Sequence, residues 1–481
     1  MKRPYVVLPA LLCALLLSGC GGIGAASPEP TPTPAPTPEP TPEPVSFTVT
    51  SEDGETMELL FETEALTLED GSFAEAIAEN ASLLPALREI SFPDGAEFTR
   101  YQVAALRSAF PEAEIRYNVI LLGERVSPDV EELDLSAAVT ADIPELKREL
   151  GKLEKLRYVQ LTPEGSEKNP YEYDKESRQG PVMYGELTVE DVAELYAAVP
   201  DAVFDCRFLL FGQELSTADE RVEYVKIHGI GDDGLDQFRR IIPAMGRLTY
   251  LKLDTCDTTS EGMAALRDEY PDIKVVWRIW FSNYGVCGDG TFDAYNCLTD
   301  TEKVWGTGIC RDETTADLKY CTDVRYLDMG HNVMTNIDFI SYMPKLEVCV
   351  LSITYVEDLS PFVNCPNLEF LELFRTYATD LTPLASCTNL EHLYVYDEHW
   401  EGLHDISPVM NLPKLKRFYC TLAEDAADQG EEFIRLHPDC ETDFTWVFIS
   451  LTKWRYVDGD YAERYALLRE QIGYDTFDYS K

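Results

Sequence analysis

Histidine is scarce in this chain, and basic residues are few beside the acidic ones. Six histidines, at positions 228, 331, 392, 399, 404 and 437, are spread over 481 residues, and none accompanies a Gly-x-Ser-x-Gly, His-Glu-x-x-His or phosphate-loop phrase. Catalysis needs a nucleophile, a base and a stabilising group that converge, so no catalytic residues, no cofactor and no enzyme activity are expected. Forty Lys and Arg against 86 Asp and Glu leave a formal net charge of −46. Such a surface repels phosphate backbones and anionic headgroups, which argues against nucleic acid or a lipid surface as partner. Long apolar runs are missing as well: after the first twenty residues no segment approaches the ~20 needed to span a bilayer.

The beginning of the chain reads as an export signal. MKRPYVVLPALLCALLLSGC has a basic start, an apolar run and a small-residue cleavage region ending in Cys20. Leu17-Ser18-Gly19-Cys20 resembles the bacterial lipobox, which implies acylation of Cys20 and a chain held to the outer side of a bacterial membrane by lipid only. Proline then stands at every second place from Pro28 to Pro44. It fixes φ and disfavours helix at the preceding residue, so residues 21–45 are expected to form an extended polyproline-like stalk. Of thirteen cysteines, Cys13 leaves with the signal and Cys20 carries lipid, and eleven remain. An odd number excludes complete internal pairing.

Repetition dominates the remainder. VRYLDM from Val324, LEVCVL from Leu346, LEFLEL from Leu368, LEHLYV from Leu390 and LKRFYC from Leu415 follow one another at spacings of 22, 22, 22 and 25. A fixed period with apolar residues at places one, four and six is the leucine-rich-repeat signature, and such units must stack to bury their apolar side. Each unit continues with Asp-Leu-Ser-Pro (358–361), Asp-Leu-Thr-Pro (380–383) or Asp-Ile-Ser-Pro (405–408). Here Ser or Thr is expected as the N-cap and proline as the first residue of a short helical turn. Over Thr301 to Thr421 this phrase resembles the internalin-type repeats of bacterial surface proteins, which implies a leucine-rich-repeat surface lipoprotein. Cys321, Cys365 and Cys387 depart from that pattern. Their place is taken elsewhere by Met343 and Leu412, so they are expected to be apolar core positions rather than a disulfide or metal set.

Looser copies precede these: LREISF (Leu87), VEELDL (Val130), LRYVQL (Leu156), VEYVKI (Val222) and LTYLKL (Leu248). Helical patterns lie between them, and a helix, Pro-acid turn and strand unit recurs in AALRSAFPEAEIRYNVILLG, ELYAAVPDAVFDCRFLLFG and AALRDEYPDIKVVWRIWF. The fold class expected is α/β: a leucine-rich-repeat solenoid with a parallel concave sheet, helices, 3-10 turns and loops on the convex side, and caps at both ends. Its divisions are 1–20 signal, 21–45 stalk, 46–300 N-terminal cap with long irregular repeats, 301–421 short repeats, and 422–481 C-terminal cap. VSFTVTSEDGETMELLF reads as a capping hairpin and DYAERYALLREQIGY as a helix closing the far end.

Places three, five and seven of each phrase alternate with the core residues and are expected to face solvent on the concave side. They supply Tyr326, Asp328, Phe370, Glu372, Phe374, His392, Tyr394, Tyr396, Arg417 and Tyr419, a contiguous strip of the residue types favoured at recognition surfaces. The expected function is capture of a protein or glycan ligand by this strip. A structural envelope protein acting by lateral contacts and a solute receptor of a transporter are the alternatives. His399 and His404 with nearby carboxylates match no standard metal spacing, and no metal is expected.

Overall fold

All ten apolar phrases form strands that include their third place. The computed structural model describes residues 45–282, 286–287, 290–291, 295–397, 401–445 and 453–474. The signal, Cys20 and nearly all of the stalk therefore lie outside the described residues. The chain is mixed α/β, opening with an antiparallel hairpin of Ser46–Thr50 and Thr56–Leu60. Strands then stack parallel and in chain order, first Ala65–Thr67, Glu89–Ser91 and Glu114–Arg116, then Glu132–Asp134, Tyr158–Gln160 and Val203–Asp205. A third ladder of Arg221–Val225, Tyr250–Asp254 and Lys274–Trp280 is closed by the antiparallel strand Asn296–Leu298.

The long units carry helices with sequence-encoded starts. Thr99 and Gln102 make a reciprocal capping box at the start of Arg100–Ala109, and Thr188 with Asp191 does the same for Val189–Ala198. One phrase is shifted from its expected frame. Val222 pairs with Leu251 and Tyr224 with Leu253, so VEYVKI sits three residues out of step with LTYLKL. Tyr224, fully buried, takes a core place rather than a surface one. Both frames put apolar residues three apart, so spacing alone could not choose between them.

The short repeats build a seven-stranded parallel sheet: β1 (Lys303–Trp305), β2 (Tyr326–Asp328), β3 (Val348–Val350), β4 (Phe370–Thr376), β5 (His392–Asp397), β6 (Arg417–Cys420) and β7 (Glu441–Asp443). Tyr326, Val348, Phe370, His392, Arg417 and Glu441 stand side by side in register, as do Asp328, Val350, Glu372, Tyr394, Tyr419 and Asp443. Strands β2 to β6 are each followed by a 3-10 turn such as Ser360–Asn364 or Thr382–Ser386.

The caps of these turns differ from expectation. Because each turn begins at the Ser or Thr itself, that residue's N–H is the orphan donor. The preceding Asp receives it: Asp358, Asp380 and Asp405 each accept at 2.8 Å, from Ser360, Thr382 and Ser407. Cys321, Cys365 and Cys387 are wholly buried, as is Met343 at the equivalent place. Burial raises the Cys365 thiol to about 12 and the Cys387 thiol to about 11.

The C-terminal helix (Glu463–Ile472) forms where the sequence places it but does not close the end of the ladder. Among the described residues the ladder ends at β7, with the helix Ala427–Leu436 beside it. The last helix instead lies across the face of the seven-stranded sheet, where Tyr465, Leu468 and Ile472 join one apolar cluster with Phe370, Tyr394 and Tyr419.

Candidate functional site: the aromatic strip and its occupant

Alternation along β4 decides which side chains make the site. Leu371 and Leu373 enter the core while Phe370, Glu372 and Phe374 point to the opposite side; β5 and β6 repeat this with Leu393 and Phe418 inward. The ladder thereby brings Tyr326, Asp328, Phe370, Glu372, Phe374, His392, Tyr394, Tyr396, Arg417 and Tyr419 to one face, and the rings touch. Phe374 stacks on Tyr394 at 5.8 Å and lies 5.2 Å from Tyr396.

Their expected exposure is not what is found. Phe370 and Glu372 are 0 % exposed, and Arg417, the most accessible of the eight from β4 to β6, reaches only 9 %. The cover is the chain's own segment 453–474. Trp454, also 0 % exposed, fills a cage whose ring centroids lie at 5.1 Å (Phe370), 5.3 Å (Tyr394), 5.6 Å (Tyr419) and 6.4 Å (His392). The Arg417 guanidinium closes the cage 4.5 Å from the indole. Leaving such a strip in water is unfavourable by ~25 cal/mol per Å² of apolar area, and one large aromatic buries ~150–250 Å². That accounts for why a covered state wins.

Polar groups fix the segment's position. Glu372 accepts from the Ser352 hydroxyl at 2.6 Å and from the Trp454 indole N–H at 2.7 Å, and pairs with the Arg455 guanidinium. Burial works against the Arg455 charge, but Glu372 outweighs it and holds that group above its usual range. Arg417 donates to the Lys453 carbonyl at 2.8 Å. At the other end the Tyr474 hydroxyl donates to Asp328. Asp328 is raised to about 7, chiefly by burial and further by the Glu372 charge, against the Gly330 N–H and Arg455. His392 is lowered to about 3 by burial and by the nearby Arg464, Arg417 and Lys416 charges. The site therefore holds a neutral imidazole and a charged Arg455 guanidinium set against Glu372.

The earlier ladders present a different surface. Tyr158 donates to Asp205 at 2.6 Å, Arg278 grips Asp254 with two contacts of 2.6 Å, and the Arg221 guanidinium sits 3.6 Å from the Tyr250 ring centre. Asp254 is buried, Arg221 is exposed and the other four are half-buried, and each is paired with another of the set. Among the described residues no cluster of His, Cys, Asp and Glu is placed to hold a metal. His404 hydrogen-bonds Asp425 at 2.7 Å, while His399 lies outside the described residues. Among the described residues no helix is long and apolar enough to cross a membrane.

Sequence reasoning found the strip and missed its occupant. The signal was present: Tyr465, Leu468 and Ile472 make a one-sided apolar stripe, with Trp454 and Arg455 just before it. A stripe states that a helix needs a partner but not which one.

No protein-family model matches the chain, and no curated protein matches it. Among solved structures it is similar to internalin C2 of Listeria monocytogenes, at 14 % identity and a TM-score of 0.26 over 55 % of this chain and 86 % of that one. A second Listeria monocytogenes internalin gives 15 % identity, a TM-score of 0.24 and coverage of 75 % and 74 %. A leucine-rich-repeat protein of Leptospira interrogans gives 13 %, 0.23, and 76 % and 74 %. Likeness at this level concerns fold alone.

Proposed function

We propose that this chain is a non-catalytic binding protein, a leucine-rich-repeat solenoid with capped ends that takes a protein ligand on its concave face. We further propose that it is a bacterial surface lipoprotein, anchored through Cys20 and a stalk, with neither nucleic acid nor the bilayer itself as ligand. The observation that carries the binding role is the cage of Phe370, His392, Tyr394, Arg417 and Tyr419 around Trp454. This face already holds a peptide, and it does so with aromatic, guanidinium and carboxylate contacts that concentrate energy at interfaces. A ligand that offers an aromatic ring beside a cation would reproduce the contacts of Trp454 and Arg455. The tethered segment is then a resident competitor, and a ligand binds in proportion to the fraction of molecules in which it has left.

The test opens the cage without shortening the chain. A labelled peptide of residues 453–474 is expected to bind the Trp454→Ala, Arg455→Ala double variant saturably and the unchanged protein at least tenfold more weakly. Adding Tyr394→Ser should abolish that binding. Failure of the peptide to bind the opened variant, with its circular dichroism and cooperative melt retained, would discard the reading. Binding of soluble oligosaccharides in place of peptide would move the ligand class from protein to glycan.

A further inference from the structure

A second feature lies away from the strip, where the third parallel ladder gives way to the seven-stranded sheet. Cys297 belongs to the antiparallel strand Asn296–Leu298, paired with Ile279, and Cys321 ends the 3-10 turn Ala316–Tyr320 in the first short unit. Their Sγ atoms are 3.8 Å apart. The other described thiols with a close polar contact direct it at backbone carbonyls, as Cys256 does to Tyr224, Cys365 to Ile340 and Cys387 to Phe362. Sulfur meets sulfur only at this junction among the contacts of the described residues.

We propose that Cys297 and Cys321 form a redox-active dithiol that oxidises to an intramolecular disulfide, covalently tying the third ladder to the seven-stranded sheet. A bonded pair stands at about 2.05 Å, so the sulfurs must approach, and rotation of the half-buried Cys297 is the available movement. Accessibility sets the order of events. Cys321 is wholly buried, and the adjacent Cys297 sulfur and its burial both push its thiol far upward. Cys297 keeps partial access to solvent and is the thiol that meets the oxidant.

The oxidant required is an external disulfide, either of a small thiol or of a thiol oxidoreductase. Cys297 loses its proton and attacks one sulfur of that disulfide; the S–S bond breaks and the first thiol departs. Cys321, on losing its proton, then attacks the Cys297 sulfur and expels the second thiol. The protein gives up two electrons and two protons, and both appear in the two thiols released. The closed loop spans a separation of 24 residues, so the bond removes chain entropy from the unfolded state and stiffens a joint where parallel stacking is interrupted.

The test uses the whole chain, incubated natively with oxidised glutathione, alkylated, digested and mapped by mass spectrometry. The expected result is a cross-linked peptide pair containing Cys297 and Cys321, lighter by two hydrogens, absent after dithiothreitol, and a melting temperature raised by a few degrees in the oxidised form. Cys321→Ala should leave glutathione on Cys297. Should that variant not fold, Cys297→Ser, at a half-buried place, should fold and lose the oxidant-dependent rise in melting temperature. Alkylation of both residues after oxidation of the native protein overturns the proposal, as does a bond from Cys297 to Cys287 with Cys321 left free.

Discussion

Two side chains on the strip titrate in opposite directions, and the sign of each follows from burial. Asp328 sits at about 7 against an ordinary 3.8, so the folded protein keeps a proton that the unfolded chain releases. Its contribution to stability is complete below about pH 4 and is lost as the pH rises through 7. His392 sits at about 3 against 6.5, so the unfolded chain takes up a proton that the folded protein refuses. Its contribution is complete above 6.5 and is lost as the pH falls towards 3. Compared with the parent, Asp328→Asn is therefore expected to lose melting temperature progressively on going from pH 7.5 to 4.5, and His392→Gln to gain it. Melts at the two pH values check the crossing signs. Glu372 makes the third residue-level case. Glu372→Gln keeps the shape but strands the Arg455 guanidinium, for a loss of about 2–4 kcal/mol. That falls below the full buried-pair figure because Arg455 retains 22 % exposure. Faster tryptic cleavage at Arg455 and Arg464 would report it. The identity of these residues was legible in the sequence from their alternation. Their protonation was not, because it depends on a cover that residues far along the chain provide.

Among the elements, the 22-residue unit was readable to within its cap. Apolar spacing located each strand, and Ser-Pro or Thr-Pro located each 3-10 turn, because these are local choices of backbone. The cap itself was misplaced by two residues, since a turn one residue shorter than a helical turn moves the orphan N–H onto the Ser or Thr. Asp380→Ala removes the acceptor of the Thr382 N–H and is expected to cost about 0.5–2 kcal/mol, with Thr382→Ala costing less. Chemical denaturation of the two variants would separate the roles. The frame of VEYVKI shows the opposite limit: Val222 and Tyr224 could have taken either of two phasings, and only pairing with Leu251 and Leu253 selected one.

For the molecule as a whole, the decisive contact joins residues more than eighty apart: Trp454 and Glu372. Removing the indole with Trp454→Ala is expected to cost about 3–5 kcal/mol locally. Because segment 453–474 lies over the sheet rather than within it, the loss should appear as a sub-global opening. Hydrogen exchange is expected to quicken in 453–474 while β3 to β6 stay protected. A uniform loss of protection would show instead that the segment and the ladder unfold as one unit. The sequence by itself determined the periodic strands, the turns between them and the one-sided strip, since each arises from spacing within about 25 residues and from the need to bury an apolar side. Only the tertiary structure decided that the strip is covered and by what, that Cys297 and Cys321 meet, and that the parallel strands divide into separate ladders. Those outcomes rest on contacts between distant parts of the chain, where many apolar surfaces compete for the same partner and geometry chooses among them.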